Sequence, residues 1–477
     1  MFGRNRAART AGKPRRGYED MLMRSRTIPS LIKYMGSKSE IIGPIVQSMN
    51  RGHRDGQPVC DLFSGSCTLA GALRRNDLLY ISNDIQAYTA VLGSVYTAAY
   101  RWNRYPPVES WVAKVQDCVR AWQSDFDDLF EQFSYDRTFT LTAFNAVEEE
   151  QRGLIDDADF ARRLAESPAE CVRRYHLFAQ YYAGTYWNFA QCVWIDCCRY
   201  VIDIEVTDEA LKNALMGCLM FAMAYNSQST GHYAQFRKAQ TERSMEDILI
   251  YRRKQLEPFF IRKYQELRHV LTGNHLRCQT VAEDYLACID RLPDGTLVYA
   301  DPPYCFVHYS RFYHILETLV RYDYPAVHFD GRYREGRHQS PFCIATQVEG
   351  AFTAMFERLR DKGCSLVLSY SNSANTMMPL NQLILDAYQT FNRQLMPLRE
   401  QAAGKLDRRI ARMLERQIQN NRTRTLDISR LFAAYNTVEP AYTLRLKLLP
   451  YQHSTMGRTL VKQIDVFEAI LEIFPRL

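Results

Sequence analysis

Residues 297–304, with the sequence Leu-Val-Tyr-Ala-Asp-Pro-Pro-Tyr, are the most informative stretch of this chain. The first four are apolar, as in a short strand inside a parallel sheet. Two consecutive prolines cannot continue a strand, because proline lacks an amide donor and has a fixed φ. The chain therefore turns at the carboxyl end of the strand, where α/β proteins build their binding sites.

Other apolar stretches extend this strand into a sheet. Residues 59–63, 78–81 and 365–370 each predict a buried strand that ends in a polar or Gly/Pro cluster. Residues 68–76 suit a short helix between the first two of these strands, which makes a βαβ-like unit. Residues 442–449 predict an edge strand. The pattern predicts an α/β fold, a Rossmann-like sheet with helices on both faces.

The middle of the chain has a different character. Strand-like runs become rare, and helical patterns appear, such as residues 248–272. The longest apolar run, residues 215–225, is too short to span a bilayer and predicts a buried helix. We therefore predict a large helical insertion at residues 101–278. It interrupts an α/β domain formed by residues 28–100 and 279–477, which includes a basic helical segment at 398–424.

Composition narrows the class of protein. The 477 residues are 47% apolar and 24% charged, which is typical of a soluble globular protein of two or three lobes. Neither a membrane span nor an apolar signal-peptide core is evident, so we expect a cytoplasmic protein with no membrane partner. The 13 cysteines include no Cys-x-x-Cys pair, which predicts buried reduced thiols and no metal.

Positive charge is concentrated near the start of the sequence. The net charge of +7 permits a polyanionic partner without requiring one. Residues 1–27 carry eight basic and two acidic side chains. Two interpretations stay open for this arm: a solvated, disordered tail, or a segment that contacts phosphates.

The turn after the strand suits chemistry on an exocyclic amino group. Such a nitrogen is a poor nucleophile, because its lone pair is delocalised into the ring. The carboxylate of Asp301 and the backbone carbonyl of Pro302 can accept hydrogen bonds from its two N–H groups. The prolines leave the backbone carbonyls of the turn without strand partners. Tyr304 would stack on a base that has left the duplex. We take Asp301, Pro302, Pro303 and Tyr304 as candidate catalytic residues, with a plain strand-ending turn as the alternative.

A glycine turn follows the first strand, in Asp61-Leu62-Phe63-Ser64-Gly65-Ser66-Cys67. The dinucleotide pattern Gly-x-Gly-x-x-Gly corresponds here to Gly65, Cys67 and Ala70. The missing second glycine argues against a pyrophosphate on this loop. S-adenosylmethionine has no phosphate, so its loop tolerates side chains at that position.

Two further motifs point to the same cofactor. Asn83-Asp84 ends the second strand, and an acid there can accept hydrogen bonds from both ribose hydroxyls. Upstream, Lys33-Tyr34-Met35-Gly36-Ser37-Lys38 places basic residues on both sides of a Gly-Ser turn, which suits a carboxylate such as that of the methionine moiety. A surface acid and a basic surface turn are the alternatives.

The order of these motifs resembles the Dam-like class of DNA adenine methyltransferases. The resemblance rests on Lys-Tyr-x-Gly-Ser-Lys, Asp-Leu-Phe-Ser-Gly-Ser, Asn-Asp-Ile, a long insertion and Asp-Pro-Pro-Tyr. Similar stretches at residues 186–202, 229–233, 313–325 and 453–458 extend it over most of residues 28–460. Cys67 departs from the pattern, since the family usually has another glycine there.

The resemblance implies a site-specific transfer of a methyl group from S-adenosylmethionine to adenine N6 in double-stranded DNA, in host modification, restriction or phage defence. It implies a catalytic methyltransferase domain at residues 28–100 and 279–477, and target recognition by residues 101–278. Subunits of a restriction or defence system are candidate partners. The implied cofactor-binding residues are Tyr34, Lys38, Asp61, Phe63, Ser64, Gly65, Asp84, Ile85 and Asp301.

Three alternatives stay open: cytosine N4 methylation, RNA adenine methylation, and a non-catalytic DNA-binding subunit that keeps the fold. Aspartate at the head of Asp-Pro-Pro-Tyr favours adenine by resemblance. No pattern in the insertion specifies the target sequence, and none specifies the oligomeric state.

Two other segments are harder to assign. The stretch from His308, Tyr309, Arg311 and Tyr313 to about Phe342 is expected to be a mobile loop that closes over the base and phosphates, with a solvated connector as the alternative. Arg408, Arg409, Arg412 and Arg416 recur at helical spacing, which predicts a solvated face, with a phosphate-binding helix as the alternative.

Overall fold

The computed structural model describes residues 28–229, 232–304, 306, 309–371, 376–393, 412–418, 425–433, 438–450 and 467–476. The strands in this part of the chain form one eight-stranded sheet and one two-stranded hairpin. In chain order they are β1 (Val59–Asp61), β2 (Leu79–Asn83), β3 (Arg277–Val281), β4 (Leu297–Ala300), β5 (Val327–His328), β6 (Tyr333–Arg334), β7 (Ser365–Ser371), β8 (Thr425–Asp427), β9 (Tyr442–Pro450) and β10 (Phe467–Pro475).

The large sheet has the strand order β3-β2-β1-β4-β7-β10-β9-β8. Its first five strands are parallel, whereas β10 runs antiparallel to both of its neighbours. The chain steps from β1 outward to β3 and then returns to the other side of β1. Such a reversal opens a crevice at the carboxyl ends of the strands. The predicted Rossmann-like α/β sheet is confirmed.

Both faces of this sheet are buried, which explains its continuous apolar strands. Along β4, Leu297 and Tyr299 join the core on one face, and Val298 and Ala300 join the core on the other. All four side chains are at most 4% exposed. The sheet is therefore the middle layer of three.

Helices form the two outer layers. They are α1 (Ile42–Gly52), α2 (Thr68–Leu73), α3 (Ala87–Thr97), α4 (Val108–Gln132), α5 (Leu141–Gly153), α6 (Ala158–Glu166), α7 (Glu170–Arg174), α8 (Leu177–Tyr182), α9 (Phe189–Glu205), α10 (Glu209–Asn226), α11 (Glu242–Arg252), α12 (Glu257–Val270), α13 (Tyr285–Arg291), α14 (Tyr309–Phe312), α15 (His314–Arg321), α16 (Val348–Asp361), α17 (Leu380–Phe391), α18 (412–418) and α19 (Ile428–Phe432). Short 3-10 turns lie at Lys38–Glu40 and Pro341–Cys343.

Helices α4 to α12 follow one another without a strand of the large sheet, as the predicted helical insertion requires. This insertion shares one hydrophobic core with the sheet, because Trp122 and Phe189 belong to the same buried cluster as Leu297 of β4. Helix α10 lies close to α3, since a Cβ at Gly217 would be 3.1 Å from Val95 Cγ2. The predicted buried helix at residues 215–225 is confirmed within α10.

The single helix predicted at residues 248–272 is wrong, because the chain breaks there between α11 and α12. Side chains from the start of α9 bind the carbonyls at the break. Asn188 Nδ2 donates to the Arg252 carbonyl (2.7 Å), and Gln191 Nε2 donates to the carbonyls of Tyr251 (2.9 Å) and Lys254 (2.7 Å). These tertiary hydrogen bonds replace those of a continued helix.

Two other boundaries differ from expectation. Strand β9 contains the predicted residues 442–449, but β8 pairs with its outer side, so β9 is not an edge strand. Residues 425–427 were too short a pattern to indicate a strand by themselves. Strand β3 begins at Arg277, so the predicted boundary at 278/279 falls inside a strand of the sheet.

Several predicted features lie outside the described residues: the basic arm at 1–27, His308, Thr230 and Gly231, Arg408 and Arg409, and residues 453–458. In α18, Arg412 and Arg416 are exposed and Leu414 is buried, as in a solvated helix face. No helix in the described part of the chain combines the length and apolar character needed to cross a membrane.

Candidate active site

One cavity opens at the carboxyl ends of β1, β2, β3 and β4. Its empty space, including the mouth, is about 1140 Å³. The Asp-Pro-Pro-Tyr turn and the glycine turn both face it, so the two strongest motifs share one site. It is lined by every residue predicted for catalysis or cofactor binding: Tyr34, Lys38, Asp61, Phe63, Ser64, Gly65, Asp84, Ile85, Asp301, Pro302, Pro303 and Tyr304.

The glycine turn is shaped by close packing against an aromatic ring. Gly65 has a φ of +48°, and a Cβ there would be 2.7 Å from the Tyr34 hydroxyl. Tyr34 in turn stacks on Tyr313, with ring centroids 4.8 Å apart and planes 9° from parallel. Only glycine fits at position 65 in this arrangement.

Asp84 ties the second strand to the glycine turn. Its Oδ2 accepts a hydrogen bond from the Gly65 amide (3.1 Å), and its Oδ1 accepts one from the Gln86 amide (3.1 Å). Burial raises the pKa of Asp84 to about 6. The two backbone donors oppose this shift, because they favour the ionised form. Near pH 7 the cavity therefore contains a carboxylate whose position is set by backbone groups.

Asp61 is the most deeply buried acid of the cavity. Its Oδ2 accepts a hydrogen bond from the Tyr80 hydroxyl (3.1 Å), whereas its Oδ1 has no partner among the described residues. Burial raises the pKa of Asp61 to about 8, and the nearby carboxylates of Asp301 and Asp84 act in the same direction. Its free oxygen can accept a hydrogen bond from a ligand N–H group, and a bound cation would favour the ionised form of the side chain.

The raised pKa of Asp61 predicts a pH-dependent stability. The unfolded side chain ionises near pH 3.8, whereas the folded one keeps its proton to about pH 8. Its contribution is therefore fully present below pH 3.8 and is lost as the pH rises through about 8. We expect the urea midpoint to fall between pH 5 and 9, and to fall less steeply in Asp61→Asn. An equal slope in both proteins would contradict the shifted pKa.

A three-residue cluster of buried charges holds the Asp-Pro-Pro-Tyr turn. Lys38 Nζ lies 3.1 Å from Asp301 Oδ1 and 2.9 Å from Glu468 Oε1 on β10. Burial by itself would lower the pKa of Lys38, but these two carboxylates outweigh it and raise the pKa well above its usual value. Burial raises the pKa of Glu468 to about 7, although Lys38 opposes the shift. Burial also raises the pKa of Asp301, and Lys38 again opposes the shift, so one ammonium orients two buried carboxyl groups.

The rest of the turn has the geometry expected from its sequence. Within the described part of the chain, no donor reaches the carbonyl of Pro302. The carbonyl of Tyr304 accepts a hydrogen bond from the Met377 amide (2.9 Å), which anchors the end of the turn. The Tyr304 ring packs against Tyr370 at a centroid distance of 5.6 Å and lies 5.3 Å from Lys38 Nζ.

Negative charge dominates the lining of the cavity. Burial lowers the pKa of His338, so this ring is neutral near pH 7. Lys38 is then the only permanent cation among the described lining residues, and it is already paired. The five acidic lining residues are Asp61, Asp84, Glu283, Asp284 and Asp301, of which Asp61 is protonated near pH 7. The cavity favours a cationic ligand and disfavours a phosphate.

The interpretation of Lys33 and Lys38 as a carboxylate-binding corner is not supported by the geometry. Lys33 Nζ lies over the Tyr225 ring, 4.5 Å from its centroid, and Lys38 is held by acids. Sequence spacing could not reveal Glu468, which reaches Lys38 from β10, more than 400 residues away. Tyr285 and Phe342, which form an aromatic wall with the predicted Phe63, were also missed; the ring centroids of the three are 5.1 to 5.8 Å apart.

The prediction of a mobile loop after the Asp-Pro-Pro-Tyr turn is wrong for the described part of residues 308–342. Helices α14 and α15 and the β5–β6 hairpin occupy this stretch. Tyr313 is 1% exposed, and its hydroxyl accepts a hydrogen bond from the Met35 amide (2.6 Å). Arg311 Nε donates to the Tyr333 hydroxyl (3.0 Å). Long-range packing orders a segment whose polar composition had indicated a loop.

Cys67 occupies a backbone conformation that glycine adopts more easily, with a φ of +54°. Its Sγ lies 3.3 Å from the Thr89 carbonyl, and a Cβ at Gly93 would be 3.6 Å from this sulfur. The thiol is thus buried against α3, and Cys67 does not line the cavity.

We therefore expect Cys67→Gly to leave the affinity for S-adenosylmethionine unchanged. Glycine removes the backbone strain of a left-handed cysteine, but the buried thiol is lost. The two effects oppose each other, so the free energy of unfolding should change by less than about 1 kcal/mol. Calorimetric titration and urea denaturation measure the two quantities. Cofactor binding that is undetectable in the natural protein and restored by Cys67→Gly would contradict this expectation.

Comparisons with known proteins agree with the site. Residues 34–193 match the family model of the D12 class N6 adenine-specific DNA methyltransferases. This match contains the glycine turn and Asp84 and ends before the Asp-Pro-Pro-Tyr turn. It covers about a third of the chain. The resemblance predicted from the motifs is confirmed.

Two curated relatives are similar to parts of the chain. Modification methylase LlaI of Lactococcus lactis subsp. lactis is 22% identical over 359 residues, which are 74% of this chain and 48% of the relative. Type II methyltransferase M.FokI of Planomicrobium okeanokoites is 29% identical over 132 residues, 27% of this chain and 20% of the relative. The chain thus spans half or less of each relative.

Proposed function

We propose that this protein is a DNA methyltransferase that transfers a methyl group from S-adenosylmethionine to the N6 amino group of adenine at specific sites in double-stranded DNA. One observation carries the proposal: the Asp301–Tyr304 turn and the Gly65 turn face the same acidic cavity. A cofactor and a base that occupy this cavity together would meet beside Asp301.

The lining residues fit the cofactor. Its sulfonium is a cation, which the unbalanced carboxylates of the cavity favour. Asp84 would accept hydrogen bonds from the ribose hydroxyls, and the ring of Phe63, with the aromatic wall behind it, would pack against the adenine. Tyr34, Lys38, Asp61, Ser64, Gly65, Ile85 and Asp301 would complete this binding site. When bound, the cofactor supplies an electrophilic methyl group.

The Asp301–Tyr304 turn, which is the proposed catalytic turn, would activate the amino group. The Asp301 carboxylate and the Pro302 carbonyl would accept its two N–H bonds, which favours the tetrahedral form of the nitrogen with an available lone pair. Both acceptors also stabilise the positive charge that develops on nitrogen during transfer. Pro303 keeps the turn rigid, and Tyr304 would stack on the extruded base. Rate enhancement then comes from orientation and electrostatics, without a covalent enzyme intermediate.

The biological setting follows from the relatives. Their names describe a modification methylase and a type II methyltransferase, which supports a role in DNA modification linked to restriction or defence. The cytoplasm is the proposed location, because the proposed substrate is the DNA of the host cell. We assign target recognition to the helical insertion, because it lies between Asp84 and the Asp301–Tyr304 turn along the chain, where the resemblance places target recognition. Subunits of a restriction or defence system would be its protein partners.

The test combines nucleoside analysis with cofactor binding. Unmethylated DNA made by polymerase chain reaction, and RNA of the same sequence, are incubated with the protein and S-adenosylmethionine. We expect N6-methyladenine in the digested DNA, none in the RNA, and a saturable calorimetric titration with the cofactor. Sequencing that detects modified bases then identifies the site.

Each alternative gives a different result. N4-methylcytosine in the DNA, or methyladenine confined to RNA, would replace the proposed substrate. DNA binding without cofactor binding would indicate a non-catalytic subunit and overturn the proposal.

A further inference from the structure

A short hairpin between α15 and α16 carries an unusually exposed aromatic ring. This finger hairpin consists of β5, β6 and the turn between them, residues 327–334. The Arg332 amide donates to the Phe329 carbonyl (2.9 Å) and closes the turn. Phe329 lies at the tip with 81% of its surface exposed, more than any other large apolar side chain among the described residues.

Folding does not explain a phenylalanine at this position. Its φ is +62°, in the left-handed region that bulky side chains rarely adopt and that costs about 1 kcal/mol or more. Glycine or asparagine would form the turn with less strain. An exposed ring also gains no burial to offset that cost. Such a residue is typical of a surface that becomes buried by a ligand.

Hydrogen bonds to the helical insertion fix the base of the finger hairpin. The Arg332 guanidinium donates to the carbonyls of Tyr181 and Arg152 in the helical insertion. The hydroxyls of Tyr182 and Tyr186 donate to the carbonyls of Arg332 (3.2 Å) and Gly331 (3.3 Å). The hairpin therefore presents Phe329 in a defined direction, and the exposure of the ring does not result from a loose loop.

Two guanidinium groups lie beside the ring of Tyr333, at the base of the finger hairpin. Arg311 and Arg337 lie 5.4 Å and 4.9 Å from the centroid of the Tyr333 ring, and Phe329 lies 6.2 Å from the same ring. Within the described residues neither arginine forms a salt bridge with a carboxylate. By contrast, Arg334 of the same hairpin is paired with Asp323 at 2.7 Å.

Both cations are sequence neighbours of residues that line the candidate active site. Arg311 follows the cavity-lining residues Tyr309 and Ser310, and Arg337 precedes the lining residue His338. Two neighbouring positive charges without an acid repel each other. An anion that binds between them replaces this repulsion by attraction to both. A phosphate group fits this geometry, because guanidinium groups bind it through directed N–H bonds.

We propose that the finger hairpin is a DNA wedge. Phe329 enters the base stack where the target nucleotide leaves it, and Arg311 and Arg337 bind a phosphate beside that nucleotide. Apolar side chains that enter between base pairs compensate for lost stacking, and arginines hold the distorted backbone. This inference rests on the proposed function for its substrate, and it adds the residues that would extrude the base.

The first experiment compares two substrates for the Phe329→Ala variant. One is a duplex that contains the site found by sequencing. The other is the same duplex with an abasic site opposite the target adenine, so that the base is already unpaired. We expect the rate of methyl transfer to fall about tenfold or more on the paired duplex, and to stay near the wild-type rate on the abasic one. Val438→Ala, another exposed apolar side chain (52%), serves as the control and should change neither rate.

The second experiment measures DNA binding without chemistry. Fluorescence anisotropy with a labelled duplex at several salt concentrations gives the slope of log K against log salt. Loss of one phosphate contact in Arg337→Gln should reduce the slope by about 0.9. Arg358→Gln, which removes a guanidinium already paired with Asp290, should leave the slope unchanged.

The outcomes separate this inference from the proposed function. Equal loss of activity on both duplexes, or no loss on either, would overturn the wedge, and the latter would fit a tip that docks a protein partner. An unchanged salt slope in Arg337→Gln would overturn the phosphate contact. If the wild-type protein transfers no methyl group, the proposed function fails, and the salt slope still tests the contact with DNA.

Discussion

Replacement of Asp301 by alanine should reduce kcat by about 10³-fold or more while binding of cofactor and DNA persists. The side chain is proposed to accept a hydrogen bond from the reacting amino group, and this contact strengthens as charge develops on nitrogen. Removal leaves Lys38 paired with Glu468 at 2.9 Å, so the buried ammonium keeps a carboxylate and the fold should persist. Single-turnover transfer of a labelled methyl group gives the rate, and fluorescence anisotropy gives the DNA affinity.

Two controls make this result specific to the catalytic turn. Asp290→Ala removes a surface carboxylate that is 52% exposed and paired with Arg358, and it should leave the rate unchanged. Asp301→Asn keeps the size of the side chain and an acceptor oxygen but loses the charge, so its rate should lie between those of the wild type and the alanine variant. Full activity of Asp301→Ala would refute the catalytic assignment.

Replacement of Lys38 by methionine should have the largest effect on stability. The variant leaves Asp301 and Glu468 buried without their shared cation, and breaking a buried ion pair in this way costs about 3–5 kcal/mol. Loss of the ammonium raises the pKa of both carboxyl groups further. Both acids would then be protonated in the folded state and ionised in the unfolded state near neutral pH, so the deficit should be larger at pH 8 than at pH 5. Urea denaturation at the two pH values measures it.

Partner variants distinguish a buried charge cluster from simple loss of packing. Lys114→Met removes the cation of an exposed pair with Glu205 (45% and 41% exposed), and it should cost at most about 1 kcal/mol. The double variant Lys38→Met with Glu468→Leu removes one of the two unpaired carboxylates. It should therefore be more stable than Lys38→Met alone. A double variant that is less stable would indicate that shape, not charge, makes Lys38 necessary.

Much of the site could be predicted because its motifs are local. The run of apolar residues before Asp301 specifies a buried strand, and the two prolines specify the turn whatever the rest of the chain does. Gly65 and Asp84 each follow a strand of the same parallel unit, and parallel strands bring their carboxyl ends to one edge. These rules were sufficient to group the predicted residues around one cavity.

The missed features depend on contacts between distant parts of the chain. Periodicity predicted one helix at residues 248–272, but side chains of Asn188 and Gln191 bind the carbonyls at its break. Polar composition predicted a loop after the catalytic turn, but Tyr313 is buried under Tyr34 and the segment forms helices. Basic residues around Gly36 suggested a carboxylate site, but Lys38 is held by acids from β4 and β10.

Strand type, turn chemistry and the order of the motifs are properties of neighbouring residues, since backbone sterics and hydrogen-bonding capacity act over a few positions. Those local properties were enough for the α/β class and the position of the candidate active site. The charge state of Asp301, the partnership of Lys38 with Glu468 and the exposure of Phe329 arise differently. They follow from burial and from the approach of segments hundreds of residues apart, because desolvation and Coulomb interactions depend on distance in space and not on separation along the chain.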